Sequence, residues 1–495
     1  MIKELLLFAA FGVALHAPAQ LCGRPVFRPE KTSDSKDLKL RNARMAYAED
    51  RIFTIKIYGD LSLAAAPKIM LGSYSLEQWE PLMERELRFE GPRAARFMVL
   101  EFFMFDEKPC LLYRWLDTET GRLELRAEQY DERTLEPIGD PVTIGEASFE
   151  PGLFLNDGPA VQVITSPDSA NLLFYLDKVK LKEMQVIFCW VTNAELVPVW
   201  NGTYMLPAQS LGFKGQPYFT DDATVYLHTT AVMLDENHVK QNKDGETEVK
   251  VVENVYKHRT EKFYRLKGTE QTELSLPGPP AGFDDHYPVA FAAQGDRLRY
   301  GYLTFRRKGA NRLDQTWATG WMERGEQVGE PQLVAVGSDV YPSDDYQLVL
   351  APDGSGYLVG SEYRNLMVAM SFGTDGQRKW QGVAKWVRYS NMEKTMFIRN
   401  ARLYIGFLNF GTFQQAGSKE PEVRTNGMGM TFVPVLVAFD EKGEMLVQDL
   451  LTKEDMKGGP VGMDQRGFKG IPILGHFSAY RFDKEAPGWL HIPVL

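Results

Sequence analysis

The chain has 495 residues, 44% of them hydrophobic and 25% charged, and a mean hydropathy of −0.29. That composition excludes a disorder-dominated chain, and the length excludes a single ordinary core, leaving two or three domains or one large closed repeat array. A net charge of −10 with no basic run argues against a nucleic-acid partner, whose phosphates reward clustered Lys and Arg.

In chain order, the first element is an export signal over residues 1–19. Lys3 precedes an apolar stretch from Leu5 to Leu15, and Ala17-Pro18-Ala19 offers a small-x-small cleavage site that leaves Gln20 at the mature N-terminus. The stretch is too short to span a bilayer, and no later segment reaches eighteen apolar residues, so no transmembrane span is expected. Leu21 directly before Cys22 fits lipid attachment poorly. Cys22, Cys110 and Cys189 are an odd set without a CxxC, which is not a disulfide framework; Cys189, inside Val186 to Trp190, reads as a buried small hydrophobe.

Residues 20–44 form an N-terminal segment with a possible closing strand, and residues 45–495 carry the repeat. Helical spacing is scarce: the best candidate, Leu76 to Leu87, is broken by Pro81 and reads as well as a hairpin. Short alternating runs recur instead, each turning on Asp, Asn or Gly, which bond their own backbone or tolerate positive φ. The first turns are Glu49-Asp50, Asp106-Glu107-Lys108, Pro167-Asp168-Ser169, Asp221-Asp222, Gln294-Gly295-Asp296, Pro352-Asp353-Gly354 and Arg399-Asn400. A second hairpin follows each, as around Thr120-Gly121 and Asp375-Gly376. Two hairpins make a four-stranded antiparallel sheet, and such turns return about every 45 to 75 residues, the spacing of propeller blades. The expected fold is therefore an all-β propeller of seven blades, or eight if His476 to Asp483 and Trp489 to Leu495 pair with a strand near Asp37 to Arg41. A β-sandwich pair or an open solenoid is the alternative.

The succession Met70 to Glu77, Ser166 to Asp168, Trp200 with Leu206-Pro207, Asp221 with Val225 to Leu227, and Phe407 to Phe410 resembles a group of uncharacterised exported β-propeller-like proteins common in Bacteroidetes. The resemblance rests on strand and turn residues; it implies fold and export, and brings no activity with it.

Loops between second and third strands share one face with the connections between blades. Two insertions fall there: Asp235 to Thr260, with Lys243-Asp244-Gly245 as a hairpin tip, and Gly411 to Met430, with Pro421 and Gly427-Met428-Gly429. The connections repeat an acidic element: Asn156-Asp157, Asp284-Asp285-His286 and Ser343-Asp344-Asp345. Asp157, Asp284, Asp285, His286, Asp344 and Asp345 are thus candidates to gather at one mouth of the axis and bind a partner, a Ca²⁺ ion or a polar polymer. The competing reading is that Asp and Asn merely begin turns there.

The seven histidines are scattered without HExxH or HxH spacing, so His228 and His286 read as structural. There is no GxSxG elbow or phosphate loop, Gly354-Ser355-Gly356 belongs to a repeat turn, and Asn201-Gly202-Thr203 matches a glycosylation acceptor. Trp190, Trp317 and Trp380 sit in strand patterns and read as core. Two functions follow. One is a non-catalytic binding or scaffold protein of the cell envelope, monomeric, without an obligatory cofactor, with an envelope protein or polysaccharide as partner. The other is a hydrolase or lyase with carboxylates at the axis. Either would work in the periplasm, at the cell surface or outside the cell.

Overall fold

The computed structural model describes residues 26–29, 40–48, 50–58, 68–75, 80–89, 95–117, 119–148, 161–181, 184–207, 210–233, 239–241, 247–249, 258–283, 285–286, 289–308, 311–335, 346–351, 353–362, 366–385, 395–399, 402–410, 412–414, 422–424, 432–449, 476–481 and 488–493. Among them no helix is long and apolar enough to cross a membrane. The chain divides into two compact units, Ser33–Gly360 with Ser371–Lys379, and Met1–Thr32 with Ser361–Met370 and Trp380–Leu495.

The larger unit holds five complete antiparallel meanders. The first blade runs Leu40–Tyr47, Arg51–Tyr58, Lys68–Ser75, Pro81–Leu87. The second is Ala95–Phe105, Lys108–Asp117, Arg122–Gln129, Val142–Ser148. Gln162–Thr165, Asn171–Leu181, Met184–Asn193 and Pro198–Pro207 make the third. The fourth comprises Ser210–Phe219, Val225–Met233, His258–Lys267 and Glu270–Leu274. In the fifth, Asp285–His286 and Ala290–Gln294 both pair with Arg297–Lys308, followed by Asn311–Glu323 and Glu326–Ala335.

Strand alternation makes these sheets two-sided, and each side is buried on a neighbour. In the third blade, Leu172, Phe174 and Leu176 pack with Cys110, Leu112 and Leu125 of the second. The intervening Leu173 and Tyr175 pack with Val225, Leu227 and Tyr264 of the fourth. Tyr226 and Phe263 then meet Phe291, Tyr300 and Tyr302 of the fifth, while Leu111 and Tyr113 of the second lie against Phe53 and Ile55 of the first. A sheet with period-2 apolar residues on both sides hides them only by face-to-face stacking. These meanders are propeller blades.

The stack also uses glycines as seats for aromatic rings. A Cβ on Gly145 would lie 1.9 Å from Nε1 of Trp190, and one on Gly301 would lie 2.0 Å from Cζ2 of Trp317. Trp190, Trp317 and Trp380 are all buried, as their strand positions required. Arg299 is a buried exception, its guanidinium 4.9 Å from the Trp321 ring and 5.3 Å from Phe372, with Nε donating to Thr319 Oγ1 at 3.0 Å.

A sixth sheet, Tyr346–Leu350, Gly356–Glu362, Leu366–Phe372 and Arg378–Lys385, has its strands divided between the units. In the smaller unit, Thr395–Arg399, Arg402–Phe410, Phe432–Phe439 and Met445–Asp449 form a seventh meander. Among the described residues each insertion contributes one two-stranded antiparallel ladder, Val239–Gln241 with Thr247–Val249 and Thr412–Gln414 with Glu422–Arg424. His258 to Thr260, assigned to the first insertion by sequence, already belong to the third strand of the fourth blade.

The chain ends pair, through different residues from those expected. Val26–Pro29 lies antiparallel to Gly488–Pro493, which pairs with His476–Arg481. Leu40 is instead taken up in the first blade, opposite Tyr58, because the tight turn before Arg51 commits Leu40–Tyr47 to that hairpin. Sequence placed the repeat from residue 45; its first strand begins at Leu40. The ambiguous stretch at Leu76 to Leu87 ends in the strand Pro81–Leu87, with Pro81 as the first residue of a sheet edge, where its missing N–H costs no ladder bond.

Candidate functional site

The first turns of the third, fourth and sixth blades are built alike, and those of the third to sixth are joined in a row. Ser169, Ala223 and Gly354 take positive φ of 61°, 58° and 84°, and their N–H groups donate three residues back to Ser166, Thr220 and Ala351. One residue before each lies an Asp. Asp168 accepts from Ser166 Oγ (2.6 Å) and Ala170 N (2.9 Å). Asp222 accepts from Thr220 Oγ1 (2.7 Å) and Thr224 Oγ1 (2.8 Å), and Asp353 from Ser355 N and Oγ. The last pair confirms Gly354-Ser355-Gly356 as turn chemistry.

Asp221 acts between blades. Its Oδ1 accepts the Asp168 N–H at 2.8 Å and its carbonyl accepts Asn171 Nδ2 at 3.3 Å, both from the third blade. Its own N–H donates to the Gly295 carbonyl of the fifth blade at 3.1 Å, and Gln294 Nε2 reaches the Ala351 carbonyl at 3.4 Å. Partial burial, with Asp168 and Asp296 close by, raises the Asp221 carboxyl above its ordinary value. Burial pushes Asp168 up as well, but hydrogen bonds from Ser166 and Ala170 outweigh it and hold Asp168 below the usual range. Asp222 is also held down against its burial, by the Thr220 and Thr224 hydroxyls and by Lys267, whose Nζ donates to the Asp222 carbonyl at 2.8 Å.

Asp157, Asp284, Asp344 and Asp345 lie outside the described residues. Asp285 and His286 form a two-residue strand opposite Phe305 and Thr304, so the acidic element there opens the first strand of the fifth blade rather than a free loop. His286 is half-buried with its ring 5.1 Å from Tyr302. His228 is buried between strands: its Nε2 lies 3.2 Å from Glu261 Oε2 and its ring packs edge-on to Phe291. Burial pushes the Cys110 thiol up to about 12 and raises Cys189 too, so both are inert packing groups. Among the described residues no group of three or more His, Cys, Asp or Glu is arranged to hold a metal ion.

Sequence reasoning marked Asp168 and Asp221 only as separate turns. Their meeting follows from the stacking of the third blade on the fourth, which no local pattern reports.

No protein-family model matches the chain, and no curated protein does. Solved structures do resemble it. The WD40 domain of SCAP from fission yeast is 9% identical, covering 94% of this chain and 98% of its own, with a TM-score of 0.37. The β-propeller domain of the Trilobed protease from Pyrococcus furiosus is 12% identical over 86% of this chain and 98% of that one, at a TM-score of 0.34. Dipeptidyl peptidase 4 from Porphyromonas gingivalis is 13% identical, over 85% of this chain and 56% of that one, at a TM-score of 0.38. Likenesses at this level bear on neither activity nor partners.

Proposed function

We propose that the protein is an exported, non-catalytic binding or scaffold protein of the cell envelope, with an envelope protein or polysaccharide as its partner. The observation that supports this reading is the division of labour within the fourth blade. At one end Asp221 and Asp222 are engaged in holding turns and neighbouring blades together. The opposite end is extended by the hairpin Val239–Gln241 with Thr247–Val249, a loop element on a rigid sheet. Export rests on Lys3, Leu5 to Leu15 and Ala17 to Ala19, and on the resemblance to exported proteins. Titrating isolated envelope polysaccharides and proteins into the mature chain, and into a chain with residues 234–257 replaced by a two-glycine link, tests the reading. Binding that disappears with the hairpin while the melting temperature holds supports it; binding indifferent to the hairpin overturns it.

The second reading is a hydrolase or lyase acting on a polar polymer, with Asp284, Asp285, Asp344 and Asp345 as its carboxylates. Release of reducing or unsaturated ends from a polysaccharide, abolished when these four are changed to Asn, would establish it in place of the first. A Ca²⁺ ion held by the acidic connections is part of the first reading: changing Asp284, Asp285, Asp344 and Asp345 to Asn should remove a Ca²⁺-dependent rise in melting temperature, and a rise that persists overturns it.

A further inference from the structure

Where the first turns of the third and fourth blades touch, two carboxyls meet without a cation between them. Asp221 Oδ1 takes the Asp168 N–H at 2.8 Å, and the Asp168 carboxyl lies within hydrogen-bonding reach of the Asp221 carboxyl. Asp168 Oδ1 is already used by Ser166 Oγ and Ala170 N. Among the described residues no donor serves the Oδ2 of either residue. The surrounding charges give no relief. From the fifth blade Asp296 adds a third negative charge, while Arg297 is engaged with Glu323. Within the fourth blade Lys267 is held by the carbonyl and carboxylate of Asp222, and Arg265 lies beside Tyr226. Two facing carboxylates repel unless one carries a proton, and that proton then joins them.

We propose that this seam is a proton-operated latch: one proton, carried by Asp221 Oδ2 and donated to Asp168 Oδ2, ties the third blade to the fourth, and its loss loosens both first turns. Every other bond of the seam survives the protonation. Asp221 still accepts the Asp168 N–H through Oδ1, and its own N–H still donates to the Gly295 carbonyl. The proton belongs to Asp221, because partial burial and the neighbouring acids raise its carboxyl. Against its burial, hydrogen bonds from Ser166 and Ala170 hold Asp168 down and keep it the acceptor. A raised carboxyl contributes stability that is lost as pH rises through its folded-state value, and a lowered one contributes stability lost as pH falls through its own. The latch is therefore shut between those two values and opens above the upper one.

Amide hydrogen exchange of the mature chain, in EDTA so that no metal cation replaces the proton, reads the latch directly. Protection is taken relative to the intrinsic rate in peptides spanning 166–171 and 220–224. It should fall at least about threefold between about pH 4 and about pH 8, while a peptide spanning the buried strand segment 186–191 keeps its protection. Asn retains an acceptor oxygen and presents an N–H where the acid carries its proton. Asp221→Asn should therefore hold the latch shut at every pH, and Asp168→Asn should do the same by donating to the Asp221 carboxylate. Protection in the two turn peptides that stays level from acid to neutral pH in the wild type overturns the proposal. A fall that persists in either Asn variant overturns it as well.

Discussion

The blade faces and the first-turn seam of the same stack are held by different forces. Between the second and third blades, contact is made by Phe174, Leu172, Leu112 and Leu125, all fully buried. Between the first turns of the third, fourth and fifth blades, contact is made by backbone groups and the carboxylate of Asp221 in partly wet surroundings. Burial of apolar area is large and indifferent to pH, whereas each hydrogen bond exchanged with water contributes little net and depends on ionisation. The faces therefore carry stability, and the seam carries register and pH sensitivity.

That contrast can be broken most directly at the faces. Phe174→Ala leaves a cavity between two blades and should cost about 3–5 kcal/mol in urea unfolding. Gly301→Ala overfills a seat and should cost about 1–3 kcal/mol, since the Trp317 ring it meets is fully buried. At the seam, Asp222→Ala removes the acceptor for two threonine hydroxyls and should cost only about 1 kcal/mol by the same assay. A loss there equal to that of Phe174→Ala would erase the distinction.

The pH dependence sharpens it. Because the folded-state value of Asp221 is raised, its contribution is fully present below the unfolded value of about 3.9 and is lost as pH rises through the folded one. Asp168 and Asp222 are lowered, so theirs is present above about 3.9 and lost as pH falls through their folded values. The melting temperature of Asp221→Asn minus that of the wild type should therefore be larger at pH 7 than at pH 4; an unchanged difference would mean that burial and its neighbours do not raise the Asp221 carboxyl. The smallest effect is Ser169→Gly, which relieves an exposed residue from left-handed backbone and should raise stability by about 0.5–1 kcal/mol.

Much of the fold was legible because its causes are local. Alternation through Leu172 to Leu176 and a turn at Pro167-Asp168-Ser169 define a hairpin whatever surrounds it, and the same form at Leu348 to Val359 declares the repeat. Trp190 and Trp317 were recognisable as core from their strands. The candidate site was far less legible. Acidic residues placed before inner strands are selected by turn chemistry as strongly as by binding, and the one such element within the described residues, Asp285-His286, is taken up in a strand.

The sequence by itself determined the antiparallel hairpins, the two-sided sheets, the blade repeat and the aromatic core, since period-2 burial and turn chemistry act within a few residues. Only the tertiary structure decided that Asp221 meets Asp168 and Gly295, that Trp190 sits on Gly145, and that Val26–Pro29 is the strand the C-terminal hairpin receives. Those contacts join residues from about 45 to more than 450 positions apart, and they depend on how one sheet lies on or beside the next, a relation that no local spacing encodes.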